Sequence, residues 1–170
     1  SLTITALEGM QPLGSLRRFN VSDCPGLPPC LESFSTLCPR LERLCIDDPS
    51  VLTMSFCKHL TSLKHLQFYS LEKVMRLTDE QERALVLLKS LQELHFLCCY
   101  DLVDLPAGLH NLPSLKKLKI DTCPRVSRLP KTGLPLSLEE LEIEFCSKKL
   151  ADQCRLLETS KLKVKISLCS

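Results

Sequence analysis

The chain has 170 residues, 44% of them hydrophobic and 25% charged, with a formal net charge of +2, proportions that describe one ordinary globular domain. Its apolar runs, such as the five residues 84–88, fall far short of the roughly 20 that a membrane span needs, and no charged-then-apolar signal sequence opens it. With two Tyr, six Phe, no Trp and so little net charge it has few stacking platforms and no bulk attraction for polyanions, so neither nucleic acid nor membrane is an expected partner.

In chain order, one frame recurs. Leu2 and Ile4 with Leu7 form a partial copy; Leu16, Phe19, Val21 and Cys24 form a complete one, with apolar residues three and then two apart and a cysteine three further on. Leu41, Leu44 and Ile46 repeat it with Pro49 in the cysteine slot, and Leu63, Leu66 and Phe68 repeat it with Leu71 there. Complete copies follow at Leu91, Leu94, Phe96, Cys99, at Leu115, Leu118, Ile120, Cys123, and at Leu138, Leu141, Ile143, Cys146; Val164 and Ile166 with Cys169 close the series. The middle apolar residue falls at positions 2, 19, 44, 66, 94, 118, 141 and 164. A spacing mostly in the twenties with the form L-x-x-L-x-L-x-x-N/C-x-L is the leucine-rich repeat, in which each repeat supplies one short strand to a stacked solenoid. The expected fold is therefore an α/β solenoid, a leucine-rich repeat horseshoe with about eight short parallel strands on its concave face, forming a single domain over residues 1–170.

Between strands the chain must return along the convex side. In "CYDLVDLPAGLHNLPSL" the residues Leu102, Leu105, Leu109 and Leu112 are expected to point inward, with Pro106 stiffening the path and Gly108 relieving it. "CPRVSRLPKTGLPLSL" repeats the scheme with Val126, Leu129 and Leu134 and with Pro124, Pro130 and Pro135, so the returns are expected to be mostly irregular. The exception is "LTDEQERALVLLKSL". Thr78 there is a helix N-cap with Gln81 as its capping-box partner, Asp79 and Glu80 favour the positive end of the helix dipole, and Ala84, Leu85 and Leu88 share one face. This predicts one short helix near 79–89.

Eleven cysteines in a small secreted chain would suggest a disulfide framework, but the count is odd and the repeat accounts for five of them. Cys24, Cys99, Cys123, Cys146 and Cys169 occupy the slot that closes each strand, where cysteine acts as a small apolar residue with a weak S–H donor. They are expected to be reduced structural residues. No C-x-x-C pair occurs, and His59, His65, His95 and His110 form no ligand pairing with the cysteines, so no metal is assigned. No H-E-x-x-H, no G-x-S-x-G and no apolar-flanked carboxylate pair is present, so no catalytic residue, enzymatic activity or cofactor is expected.

Several segments together carry a family resemblance: the irregular repeat lengths, "LPAGLHNLPSLKKLKIDTCPRVSRLP", "LTDEQERALVLLKSLQEL" and the closing "SLEELEIEFCSKKLADQCRLLE". The chain resembles, over nearly its whole length, the C-terminal repeats of plant nucleotide-binding leucine-rich repeat disease-resistance receptors, of the cereal type with an N-terminal coiled coil. The resemblance implies an intracellular innate immune receptor, cytoplasmic or also nuclear, whose repeats restrain an upstream nucleotide-binding switch and contribute to sensing protein effectors from a pathogen or pest. The implied partners are thus such an effector and the receptor's own nucleotide-binding portion. The chain has no G-x-x-x-x-G-K-[ST] phosphate loop and begins at a strand without Met, as expected of a fragment from a longer solenoid. The alternative is the substrate-recognition repeats of an F-box type ubiquitin ligase receptor, whose repeats are more regular and whose returns are longer and helical.

Strand alternation places two columns on the concave face. One runs Ser1, Arg18, Arg43, His65, Glu93, Lys117, Glu140, Lys163, and the other Thr3, Asn20, Cys45, Gln67, His95, Lys119, Glu142, Lys165. Toward the C-terminus these read as alternating charge ladders between parallel strands about 4.8 Å apart, while lysines at 161, 163 and 165 discourage pairing at a sheet edge. The middle is less charged, and Arg18, Arg43, His65, Gln67, Tyr69, His95 and Leu97, with Cys98 beside them, are the candidate protein-binding residues, since aromatic and arginine side chains anchor interfaces.

Overall fold

The computed structural model describes residues 17–21 and 40–168. The partial strand expected at 2–4 and the repeat cysteines Cys24 and Cys169 lie outside the described residues. Within them the chain forms a leucine-rich repeat solenoid. Seven strands, β1 (Arg18–Val21), β2 (Arg43–Ile46), β3 (His65–Tyr69), β4 (Glu93–Leu97), β5 (Lys117–Asp121), β6 (Glu140–Glu144) and β7 (Lys163–Ser167), pair in sequence order in one parallel sheet. Register follows the repeat frame: Leu44 stands beside Leu66, Leu66 beside Leu94, Leu94 beside Leu118, and Leu118 beside Leu141. The two inward residues of each strand are buried from β2 to β6, each leucine contributing about 1.5–3 kcal/mol through the surface it removes from water. Phe68 and Phe96 stack, with centroids 5.0 Å apart. In β7 the inward Val164 and Ile166 are only half-buried.

One backbone device ends four consecutive strands. Ser70, Cys98, Thr122 and Phe145 follow β3, β4, β5 and β6 with φ of 53°, 56°, 54° and 50°, a left-handed conformation that side chains adopt at a cost of about 1–3 kcal/mol. Each nevertheless extends the ladder by donating its N–H to the next strand's end, at Leu97, Asp121, Glu144 and Ser167. The turn then drops the repeat cysteine inside. Cys99 Sγ donates to the carbonyls of Phe68 and Leu97, Cys123 to Phe96 and Asp121, and Cys146 to Ile120 and Glu144, at 3.2 to 3.8 Å. After β2 the device is absent. Asp48 has φ −125° and its carboxylate instead accepts from Ser50 N at 2.8 Å, because Pro49 in the cysteine slot starts a 3₁₀ turn over Pro49–Thr53.

On the convex side the expected helix is present as α1 (Asp79–Val86), with both reciprocal hydrogen bonds of the Thr78–Gln81 capping box formed at its N-terminus. Leu85 and Leu88 are buried and Ala84 packs against the core. The helix ends three residues earlier than expected, since Leu88 and Leu91 must turn inward through short i→i+3 bonds to begin the next strand. Leu102, Leu105, Leu109 and Leu112 are buried as expected, and so are Val126 and Leu129. Two findings correct the irregular-return picture. A second helix, α2 (Lys148–Arg155), buries Leu150, Ala151 and Cys154, and its cap Ser147 accepts from Leu150 N while donating to Val126 O at 2.7 Å. Further 3₁₀ turns cover Ser55–His59 and Ala107–Asn111. Among the described residues no helix is long and apolar enough to cross a membrane.

Candidate functional site

The concave face divides into two electrostatic zones. Over β5 to β7 the charges compensate: Lys117 Nζ lies 2.6 Å from Glu140 and 3.0 Å from Glu142, Lys119 2.8 Å from Glu144 and 3.5 Å from Asp121, and Lys165 3.2 Å from both Glu140 and Glu142. Hydrogen bonding from Lys117, then Glu142 and Lys165, holds the Glu140 carboxyl down at about 2. Burial works against the charge on Lys117, but Glu140 and Glu142 outweigh it and raise its pKa. The ladder is thus the one the repeat phase predicts, with one change. Glu140 takes Lys165, two residues along β7, as its second partner in place of Lys163.

Over β3 and β4 the face has another character. His65 and Glu93 are register partners, and His95 lies two residues beyond Glu93 on the same face. His65 Nδ1 is 2.9 Å from Glu93 Oε2, His95 Nε2 is 3.7 Å from the same oxygen, and the imidazoles meet edge to face at 4.4 Å. Both rings are more buried than the repeat phase alone suggests, their side chains being 12% and 16% exposed. Burial, then the facing His65 and the more distant Lys117 and Lys119, against the pull of Glu93, hold the His95 pKa down at about 4, so its imidazole is neutral at physiological pH. Burial raises Glu93, but the His65 hydrogen bond and the charges of His65, His95 and Arg43 outweigh it and leave its pKa lowered.

The strand ends above this cluster carry an aromatic rim. Tyr69 closes β3 and is 42% exposed; Leu97 closes β4 and is half-buried. Tyr100, 56% exposed, hydrogen bonds to Cys98 and lies within the influence of Tyr69, the Cys98 thiol being the first cause of its raised pKa. The chain's two tyrosines are thus both exposed, one at the end of β3 and one just past the end of β4. Arg18 and Arg43 stand exposed on β1 and β2, where with Cys45, His65 and Gln67 they line a hollow of about 320 Å³. Gln67 is half-buried and donates to Cys45 Sγ at 3.6 Å.

The sheet thus brings the seven candidate residues onto one face, but as two groups: an arginine-lined hollow over β1 to β3 and an aromatic rim above the imidazole cluster. Repeat phase left two features unread. Tyr100 follows the strand, so its place on the rim depends on the left-handed turn at Cys98. Glu93 meets His65 only across a 28-residue step in sequence, though the alternation in Glu93-Leu94-His95 is itself visible in the sequence. No protein-family model matches the chain, and no curated protein matches it.

Proposed function

We propose that this chain is a protein-recognition and autoregulatory leucine-rich repeat module of an intracellular immune receptor, with the middle of its concave sheet as the partner-facing surface. The observation that carries the recognition part is the contrast between the two zones. Lysines already paired with glutamates offer a partner little net energy, whereas Tyr69, Tyr100 and Leu97 present aromatic and apolar surface at the strand ends, and Arg18 and Arg43 stand exposed toward the other end of the same sheet, residue types that anchor interfaces. The immune setting rests on the resemblance of the chain, carried chiefly by segments between residues 77 and 158, to the repeats of plant nucleotide-binding receptors. In this reading the partners are an effector protein from a pathogen or pest and the receptor's own nucleotide-binding portion, the site of action is the cytoplasm, and no catalytic group or cofactor is assigned.

The setting is tested by reading the coding sequence upstream of Ser1 and then expressing that portion in trans. A G-x-x-x-x-G-K-[ST] loop upstream, together with binding of the nucleotide-binding portion to this chain, is the expected result. An F-box helix bundle upstream would contradict it.

A further inference from the structure

From the arrangement of His65, Glu93 and His95 we propose that the concave face holds a site for a zinc-class divalent cation, with a coordination position left open toward the groove. The inference is independent of the recognition reading. One ligand atom from each of the three side chains lies within 4.8 Å of the other two, which makes them the cation-compatible cluster among the described residues. Two imidazoles and one carboxylate are a donor set suited to zinc and its neighbours in the first transition row, and three protein ligands leave the fourth tetrahedral corner free.

The distances fit. With metal–ligand bonds of about 2.0–2.2 Å, tetrahedral donors stand roughly 3.4 Å apart. The His65–Glu93 separation of 2.9 Å and the His95–Glu93 separation of 3.7 Å lie on either side of that value, and the third separation, between the two imidazole nitrogens, is within 4.8 Å. His95 Nε2 is buried and has no hydrogen-bond partner, an unmet requirement that a metal bond satisfies. Of the cations facing the cluster, Lys117 and Lys119 are each bound to carboxylates on β5 and β6, which limits their repulsion of an incoming ion. Arg43, on β2, is the other positive neighbour. When the ion binds, His65 offers Nδ1 as the ligand atom and keeps its ring proton on Nε2. The open corner faces the same groove as Tyr69, and takes water or a carboxylate or imidazole from a protein partner.

The test titrates the full chain, kept reduced, with Co²⁺ alone at pH 7.5 and reads the visible d–d spectrum. The expected result is one ion per chain with no sulfur-to-cobalt charge-transfer band, since no thiolate binds. Glu93→Gln, whose side chain is 38% exposed and whose shape is kept, and His95→Gln each weaken binding by at least about tenfold, with folding checked by melting. Cys45→Ser together with Cys98→Ser leaves binding unchanged. Absence of stoichiometric binding, a thiolate charge-transfer band, or a folded Glu93→Gln protein that keeps wild-type affinity would each overturn the proposal.

Discussion

At the scale of single residues, the convex packing turns on a glycine whose need is space. A Cβ on Gly108 would stand 2.7 Å from Val86 Cγ1 of α1, and the Glu82 carboxylate of the same helix accepts from Ala107 N at 3.1 Å and Gly108 N at 3.3 Å. Helix and 3₁₀ turn therefore meet backbone to side chain, and the sequence reading of Gly108 as relief for a stiff path is replaced by one of close approach. Gly108→Ala is expected to lower stability by about 1–3 kcal/mol in urea unfolding, and adding Val86→Ala should recover part of that loss. A second residue sets the acid limb. Because the folded-state pKa of Glu140 is depressed from 4.5 to about 2 by Lys117, Glu142 and Lys165, its contribution is complete above pH 4.5 and is lost as pH falls toward 2. Unfolding free energy measured across that window should fall less steeply in Glu140→Gln than in the wild type; identical slopes would remove Glu140 as a source of the acid limb.

At the scale of elements, legibility tracked how local the determining signal is. Strand positions were readable because three apolar residues fix each one, and the register of the sheet then repeats that spacing. Helix α1 was readable because Thr78, Gln81 and its acidic first turn sit within four residues. Helix α2 was not, because Ser147 has Leu150 where a capping box needs Glu or Gln, leaving only the apolar triple Leu150, Ala151 and Cys154 as a signal. The 3₁₀ turns are shorter than any period that would reveal them. Removing the cap tests the argument for α1: Thr78→Ala is expected to cost about 1 kcal/mol in urea unfolding while leaving the sheet's circular dichroism intact. No measurable loss would mean that packing of Leu85 alone holds the helix.

At the scale of the whole molecule, the cysteines act together as an internal spine. Cys99, Cys123 and Cys146 occupy equivalent slots and donate to backbone carbonyls across successive repeats. Cys123 is raised by its thiol neighbours, Cys146 first and then Cys99, and by burial, while burial pushes Cys57 and Cys154 up to about 12. Every cysteine among the described residues is free, and the buried Cys57, Cys123 and Cys154, whose pKa values are raised, are expected to react slowly while the chain stays folded. All eleven cysteines are expected to react in denaturant without prior reduction; fewer would contradict a reduced spine.

The same solenoid underlies the functional claim, because its parallel register sets Tyr69 beside Leu97 at the strand ends and pairs Lys117 of β5 and Lys165 of β7 with the glutamates of β6. The most direct measurement compares partner affinity, using in trans the nucleotide-binding portion that the proposed function calls for, for Tyr69→Ala, Leu97→Glu and Tyr100→Ala against Lys117→Ala, with a melting curve for each. The account predicts losses above about 1 kcal/mol for the rim variants and below that for the lysine variant, all four remaining folded. Wild-type binding by the rim variants with loss of binding in Lys117→Ala would contradict it and place the interface on the charge ladder.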